Sequence, residues 1–460
     1  MSAAILTDAF KKQLLEDVLA DFVDSANHYF AGIGRSEDWN DSDVPLIPQN
    51  SARDVRNTRL AIQSVKNITD MSFCIPRHNW TTGAIYSAFD DNVVGYPSNS
   101  YYVMNSNQQV YLCLRQGSGN INNASTDQPS GNTTGQPFKT PDGYVWKFVY
   151  SIGALRATKF LSSAYMPVQL VVSTDSDSPA EIIEQKAIQD AAIPGQIVGY
   201  AMIDQGLNYT VAPQVKVNGN GSNAKAVAVV IGNQVVRVDV KEDSSGNIAG
   251  DYANNSYYGH DYEYASIEFI GGTGSGAKAR PIFAPKAGFG ADPRDDFKSS
   301  AVMFNTKPDG KENGAFIVGQ DFRQVTLLKN LLQTDSAVPG GLFTESVGRT
   351  LNKLAIGSIN SGPFTRDVLI EGQTSMARAY IDDFDSANIW YHQSEETGYK
   401  AFQASETIEI VNGGATTAII NSILKGKVDP LTGELLYIDN RAAVIRSTDQ
   451  AEDIKIVIQL

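Results

Sequence analysis

The segment from Pro141 to Tyr150 constrains the fold more than any other part of this sequence. Pro-Asp-Gly is a turn sequence, because proline fixes one φ, aspartate bonds to nearby backbone and glycine accepts a positive φ. The residues that follow alternate in a strand pattern, which places Tyr144, Trp146, Phe148 and Tyr150 on one face. Four large rings on one face bury a large apolar area, so the sequence predicts a core strand here.

Length and charge narrow the classes of protein to consider. A chain of 460 residues exceeds one ordinary core, so several domains are expected. Its 51 acidic and 37 basic residues give a formal charge of −14, which repels phosphate backbones and anionic lipid. We therefore expect no nucleic-acid and no membrane partner. No apolar run approaches the roughly 20 residues of a membrane span, and residues 1–12 do not resemble a secretory signal. The two cysteines, Cys74 and Cys113, are expected to be buried hydrophobes.

The order of strand, helix and turn patterns predicts a mainly β, multi-domain protein, built of β-sandwich domains with a few helices and an N-terminal helix. We expect four segments: an N-terminal amphipathic helix in 1–30, the first part of a β-sandwich core in 31–194 with a helical segment near 52–65, a repeated β module in 195–285, and a C-terminal β domain in 286–460 that completes the core. Within these segments, hairpin strands are expected at 100–104 and 109–114, and a helix at 180–192.

The first helix is predicted over residues 7–30, where Phe10, Leu14, Val18 and Phe22 recur every four residues. The helix packs either on its own domain or on a partner subunit. The second alternative makes these four residues candidates for a partner-facing surface.

The module at 195–285 contains two similar copies, 206–228 and 260–279. Each has a tyrosine segment, an alternating strand, a glycine-rich turn and a strand that begins Ala-Lys-Ala, the pattern of a β unit built twice. The run Gly271–Gly276 is interpreted as a hairpin turn, because a strand follows it and the lysine-serine of a phosphate loop is missing. Segments 364–380 and 402–420 also resemble each other and suggest related hairpins in a sandwich or barrel. A helix is expected near 321–332, and a turn at Asp439-Asn440.

Residues capable of chemistry are sparse. The four histidines, which lack metal-binding spacing, are expected to be hydrogen-bonded packing residues: His28, His78, His260 and His392. Residues 38–43 copy the first half of a calcium loop, but Asp43 stands where the loop needs glycine. Asp382-Asp383-Phe-Asp385 is expected to form a turn. Paired carboxylates for glycoside cleavage remain open, since their spacing is set in three dimensions.

Five segments, in order along the chain, carry a resemblance to a known family: Gly34-Arg-Ser-Glu-Asp-Trp39, Ile75-Pro-Arg-His-Asn-Trp80, Val110-Tyr-Leu-Cys-Leu114, Asp142-Gly-Tyr-Val-Trp-Lys147, and Gly433-Glu-Leu-Leu-Tyr-Ile-Asp-Asn-Arg441 with Asp449-Gln-Ala-Glu-Asp-Ile454. Together they resemble the baseplate wedge subunit of T4-like contractile-tail bacteriophages, the gene eight product. The resemblance covers about the first 175 and the last 30 residues, so the module at 195–285 is the candidate for an insertion.

The resemblance implies a structural, non-enzymatic protein of the virion, assembled in the host cytoplasm and located in the tail baseplate. It implies a homodimer that contacts other wedge subunits, in a baseplate that changes shape on host attachment. No catalytic residue, metal, cofactor or small-molecule substrate is implied. The shared residues are expected to determine the fold: Gly34, Arg35, Trp39, Pro76, Arg77, Trp80, Asp142, Gly143, Tyr144, Trp146, Asn440 and Arg441.

Two alternatives remain from the residues themselves. Twenty tyrosines and many carboxylates also suit a tail protein that binds or cleaves carbohydrate, which needs an aromatic groove with two carboxyls about 5–10 Å apart. The module at 195–285 is alternatively a calcium-dependent β module.

Overall fold

The computed structural model confirms a mainly β protein, with 39% strand and 12% helix in several antiparallel sheets. It describes residues 5–40, 42–117, 123–131, 134–242, 257–334, 340–411 and 413–460. Within those ranges, no helix is both long and apolar enough to cross a membrane.

The helices are α1 (Asp8–Val23), α2 (Ala52–Leu60), α3 (Ala154–Phe160), α4 (Ala180–Asp190) and α5 (Pro293–Asp296). The first strands are β1 (Tyr29–Gly34), β2 (Ile62–Ile68), β3 (Asp70–Pro76), β4 (Tyr102–Met104), β5 (Gln109–Arg115), β6 (Pro137–Lys139), β7 (Val145–Ser151) and β8 (Tyr165–Val168). The next are β9 (Ile197–Asp204), β10 (Gln214–Gly219), β11 (Ala226–Ile231), β12 (Gln234–Val240), β13 (Ala265–Ile270), β14 (Lys278–Phe283), β15 (Ala301–Thr306), β16 (Asp321–Lys329), β17 (Leu332–Gln333) and β18 (Val347–Arg349). The last are β19 (Asn352–Ile356), β20 (Leu369–Gly372), β21 (Arg378–Phe384), β22 (Asn388–His392), β23 (Thr407–Ile410), β24 (Thr417–Leu424), β25 (Val428–Asp429), β26 (Glu434–Ile445) and β27 (Ile454–Gln459).

The chain forms two compact units. Unit 1 contains Met1–Leu15, Ser72–Met303 and Ile458–Leu460, and unit 2 contains Glu16–Met71 and Phe304–Val457. The four predicted segments do not coincide with these units, because each unit combines chain from early and late in the sequence.

In unit 1, the aromatic strand β7 lies inside a sheet of order β4-β5-β7-β6. The hairpin predicted at 100–104 and 109–114 is confirmed as β4 and β5, which pair antiparallel. Tyr144, Trp146 and Phe148 are fully buried in one cluster with Tyr86 and Tyr111. The predicted core strand is therefore confirmed. The predicted helix at 180–192 is also confirmed as α4.

The repeated module forms one sheet of order β12-β11-β10-β13 and a pair β14-β9. The two copies interlock: Leu207 of the first bridges Ser275 of the second, and Ser222 of the first bridges His260 of the second. The predicted hairpin around Gly271–Gly276 is wrong, because β14 pairs with β9 and not with β13. In the first copy, β10 does pair with β11. Residues 243–256 of this module lie outside the described residues.

In unit 2, a five-stranded sheet has the order β18-β2-β1-β16-β26, and a closed barrel has the order β19-β22-β21-β20-β23-β24. The hairpins predicted from the similar segments 364–380 and 402–420 are confirmed as β20-β21 and β23-β24 of this barrel. Its core is filled by apolar side chains from all six strands.

Four local predictions are corrected. The first helix ends at Val23 rather than at residue 30. Directly after Val23, Asp24 Oδ1 accepts a hydrogen bond from Ala26 N and starts a turn. The helical segment predicted near 52–65 ends at Leu60, and residues 62–68 form β2.

The helix predicted near 321–332 is the strand β16, whose residues Phe322–Leu328 are all buried between β1 and β26. A strand buried on both faces loses its alternation, and its apolar spacing then imitates a helix. The turn predicted at Asp439-Asn440 lies inside β26, where both residues pair with β16.

Candidate functional site

Most of the signature residues gather in two clusters, one in each unit. In unit 2, the first signature segment begins at Gly34, the last residue of β1, where it passes close to neighbouring backbone. A Cβ on Gly34 would lie 2.1 Å from the carbonyl oxygen of Ala61, so this position requires glycine. Arg35 has a φ of 61° and its guanidinium lies 4.2 Å from the Trp39 ring centroid. The Trp39 indole Nε1 donates to the Arg441 carbonyl oxygen at 2.8 Å. Three signature residues from the two ends of the chain therefore meet here.

The acidic segment that follows is held by one arginine. Arg323, whose side chain is 5% exposed, donates from Nε to Asp43 Oδ1 at 2.7 Å and also bonds to Asp38. The hydrogen bond from Arg323 lowers the pKa of Asp43. Asp38 and Asp43 thus share one cation of the chain itself with Asp321, which lies 2.9 Å from Arg323 Nη1. This disfavours the calcium-loop interpretation; Asp41 of that segment lies outside the described residues.

A buried histidine joins the same cluster. His392 Nδ1 lies 2.7 Å from Asp382 Oδ2, and its Nε2 lies 3.4 Å from Glu37 Oε1. Asp382 is fully buried and also accepts from Ser36 Oγ at 3.2 Å and from Gln63 Nε2 at 3.0 Å. The turn predicted at 382–385 is wrong for its first three residues, because β21 continues to Phe384.

The electrostatics fix the protonation of His392. Burial alone would lower its pKa, but the charges and hydrogen bonds of Asp382 and Glu37 outweigh burial and raise the pKa to about 10. The hydrogen bond with His392 in turn lowers the pKa of Glu37. A cleft of about 190 Å³ adjoins the ring and is also lined by Arg35 and Tyr399. An imidazole protonated at neutral pH and facing carboxylates at both nitrogens cannot accept a proton there, so this arrangement suits a structural ion pair rather than a general base.

In unit 1, the second cluster forms around the Pro-Asp-Gly turn. Asp142 Oδ2 accepts from Ser125 Oγ at 2.9 Å, and Ser125 Oγ accepts from the Trp80 indole Nε1 at 3.1 Å. Burial alone would raise the pKa of Asp142, but the hydrogen bonds that it accepts from Thr140, Asp127, Thr126 and Ser125 outweigh burial and lower the pKa. Gly143 has a φ of 86°, as the turn requires, and Tyr144 stacks on Trp146 at 5.5 Å.

The remaining signature residues also bond to the chain itself. The Pro76 carbonyl accepts from the Tyr102 hydroxyl at 2.8 Å, and Arg77 donates to the Ser162 carbonyl at 2.8 Å. Asn440 accepts from Gln324 Nε2 at 2.9 Å, and its Nδ2 donates to the Leu46 carbonyl at 2.8 Å.

The proposed partner-facing residues of α1 differ in exposure. Phe10 is 50% exposed, whereas Leu14, Val18 and Phe22 are only partly exposed. The Phe22 ring lies 5.2 Å from Tyr29 and 5.6 Å from Phe304, so it packs within its own unit.

The sequence did not single out Arg323, Asp382 or Glu37 as members of one site, and it treated His392 as isolated. The only local signal was Glu37, which stands inside the first signature segment. Among the described residues, no group of three or more metal-ligating side chains is placed to hold a metal ion. Comparison of the chain with protein-family models and with curated proteins finds no match.

Proposed function

We propose that this chain is a structural subunit of a bacteriophage tail baseplate wedge, where it joins neighbouring wedge subunits and takes part in the change of baseplate shape on host attachment. The supporting observation is the convergence of the signature residues. Segments far apart in the sequence, such as Trp39 and Arg441, meet in contacts internal to the chain. Residues that resemble the family because they determine the fold are expected to make such internal contacts. Catalytic residues would instead leave reactive groups facing a substrate.

The proposal includes a homodimer and contacts with other wedge subunits, and the structure offers a suitable surface. Strand β26 is 12 residues long and lies at one end of its sheet in the described part of unit 2. Its side chains include Leu436, which is 44% exposed, and Ile445, which is 66% exposed. A long edge strand with exposed apolar side chains favours pairing with another chain.

Location in the particle tests the proposal directly. Purified tails of the phage that encodes this chain should contain it, and electron microscopy should place it in the baseplate around the hub. Sedimentation of the isolated chain should give a dimer. A monomer in solution together with absence from tails would refute the proposal. Cleavage of host polysaccharide by the isolated chain would instead favour the carbohydrate alternative.

Variants test the surface. Ile445→Lys places a charge on the edge strand, so we expect unchanged melting but reduced dimerisation and reduced incorporation into tails. Val172→Lys is the matched control, because Val172 is 83% exposed in a loop of unit 1. Equal incorporation of the two variants would exclude the β26 edge as a contact surface.

A further inference from the structure

Two strands of the repeated module each have a free edge. Strand β13 lies at the end of its sheet and pairs with β10 from Ala265 to Ile270. Strand β14 pairs with β9 from Lys278 to Phe283, in a sheet of two strands. In the described part of the chain, neither strand has a partner on its second edge. A free edge presents unpaired backbone N–H and C=O groups, which favour pairing with a further strand.

An open groove of about 790 Å³ lies between β13, β14 and the turn that connects them, and we call it the β13–β14 groove. It contacts consecutive residues of both strands, 265–267 in β13 and 278–281 in β14. Consecutive side chains of a strand point to opposite faces, so a groove that contacts them in succession adjoins the strand edges rather than one face. Among the described residues, its lining includes none from β10, β11 or β12. The groove therefore runs along the second edges of β13 and β14.

The groove offers apolar contacts at the spacing of a strand. Ile267 and Phe269, two residues apart on one face of β13, are partly exposed, and Ile203 of β9 is 66% exposed. Pro281 of β14 has no N–H, so β13 is the edge that offers every backbone donor. Strand β13 is six residues long. The groove thus suits an extended segment of about six residues with apolar side chains at alternate positions.

The charge of the groove indicates the composition of that segment. Lys278 and Arg280 line the groove, and its described lining contains no Asp or Glu. Arg280 already forms ion pairs with Asp90 and Asp91. The exposed Lys278 forms no ion pair within the described ranges, and Glu268, the carboxylate of β13, lies outside the lining. A surface lined by one sign of charge attracts the opposite sign, so an acidic segment fits best.

We propose that the β13–β14 groove binds an extended acidic segment of another protein, which adds to the free edge of β13 as a further strand. Alternate apolar side chains of that segment pack on Ile267 and Phe269, and its carboxylates lie beside Lys278. The groove belongs to the candidate insertion, and this binding does not depend on the proposed role in the baseplate. The failure of either proposal therefore leaves the other standing.

The test titrates a seven-residue peptide that alternates valine and glutamate, acetylated and amidated at its ends, into the full chain by calorimetry. We expect saturable binding that weakens with added salt, because salt screens exposed charges. The same peptide with lysine in place of glutamate should not bind. A peptide N-methylated at every residue keeps the side chains but has no backbone donor, so it should not bind either.

One substitution tests the charge. Lys278→Glu should weaken binding of the valine-glutamate peptide about fivefold, the upper value for one exposed ion pair. The matched control is Lys216→Glu, which changes the net charge equally but lies on β10, outside the groove; it should leave the affinity nearly unchanged. Equal weakening by the two variants would show a general effect of charge and would overturn the proposal.

Hydrogen exchange locates the peptide without a variant. Alternate amides of an antiparallel edge strand point away from its partner, so the peptide should slow exchange at every second amide of 265–270. Protection at another strand, equal binding of the lysine peptide, or no saturable binding would overturn the proposal. If the peptide instead separates a dimer of the chain in sedimentation, the occupant is a second copy and the assignment to another protein is wrong.

Discussion

Replacing Trp146 tests whether the aromatic strand β7 is a core strand. The Trp146 side chain is fully buried, stacks on Tyr144 at 5.5 Å and meets Tyr86 edge-on at 5.6 Å. A buried aromatic side chain covers about 150–250 Å². At about 25 cal/mol per Å², the hydrophobic loss in Trp146→Ala is about 4–6 kcal/mol.

One opposing contribution reduces that loss. The Trp146 indole Nε1 has no hydrogen-bond partner among the described residues, so its removal relieves an unpaired buried donor worth about 1 kcal/mol. We therefore expect Trp146→Ala to lower the free energy of unfolding by about 3–5 kcal/mol, within the usual range for a buried ring. Trp146→Phe keeps a ring against Tyr144 and also deletes the unpaired N–H, so its loss should be about 1 kcal/mol.

Urea denaturation followed by tryptophan-independent circular dichroism measures both variants. If Trp146→Phe is destabilised as strongly as Trp146→Ala, the indole N–H has a partner in the folded chain and the reasoning is wrong. If Trp146→Ala keeps wild-type stability but fails to enter tails, the ring belongs to an interface rather than to the core.

Three further predictions concern single groups. Gly34→Ala should destabilise by about 1–3 kcal/mol, because the new methyl would press on the Ala61 carbonyl; Gly357→Ala, whose new methyl would make only ordinary van der Waals contacts with the nearest atoms at 3.7 Å, should be neutral in the same denaturation assay. For His392, whose pKa is raised to about 10 in the folded chain against about 6.5 when unfolded, stabilisation is complete below pH 6.5 and lost as pH rises towards 10. The difference in unfolding free energy between wild type and His392→Gln should therefore shrink over that interval, and a difference independent of pH would contradict the ion-pair assignment. The Cys74 thiol, buried with its pKa raised to about 12, should resist a thiol reagent at pH 8 until the chain is denatured; rapid labelling of the native chain would show that the site opens.

The predictable parts of the fold are those whose structure is determined by residues close to one another in the sequence. Strand β7 and the hairpin of β4 and β5 carry their turn residues beside them, so local chemistry was sufficient. The prediction for β16 was wrong because its partners β1 and β26 are remote in sequence. Burial on both faces also removed the alternation of apolar and polar residues that marks a strand. Asp439 and Asn440, which favour turns in isolation, are held extended by their pairing with β16.

The candidate site shows the same limit. The signature resemblance singled out Arg35, Trp39 and Arg441, which the structure brings into one cluster. It did not indicate His392, because Glu37 and His392 are 355 residues apart in sequence and no spacing rule connects them. The identity of a buried ion pair depends on which strands become neighbours, and this is decided by tertiary structure.

The interlocked repeat has a consequence for how the module forms. The glycine-rich turn of each copy forms a β-bridge with the loop of the other copy. Neither copy can therefore form all of its contacts without the other. A chain truncated after Ile231 would lack the partners of β9 and of one edge of β10, and should be unfolded there rather than half folded. The duplication thus yields a single cooperative folding unit, whose formation must wait for distant segments to meet and is expected to be slow relative to a simple hairpin.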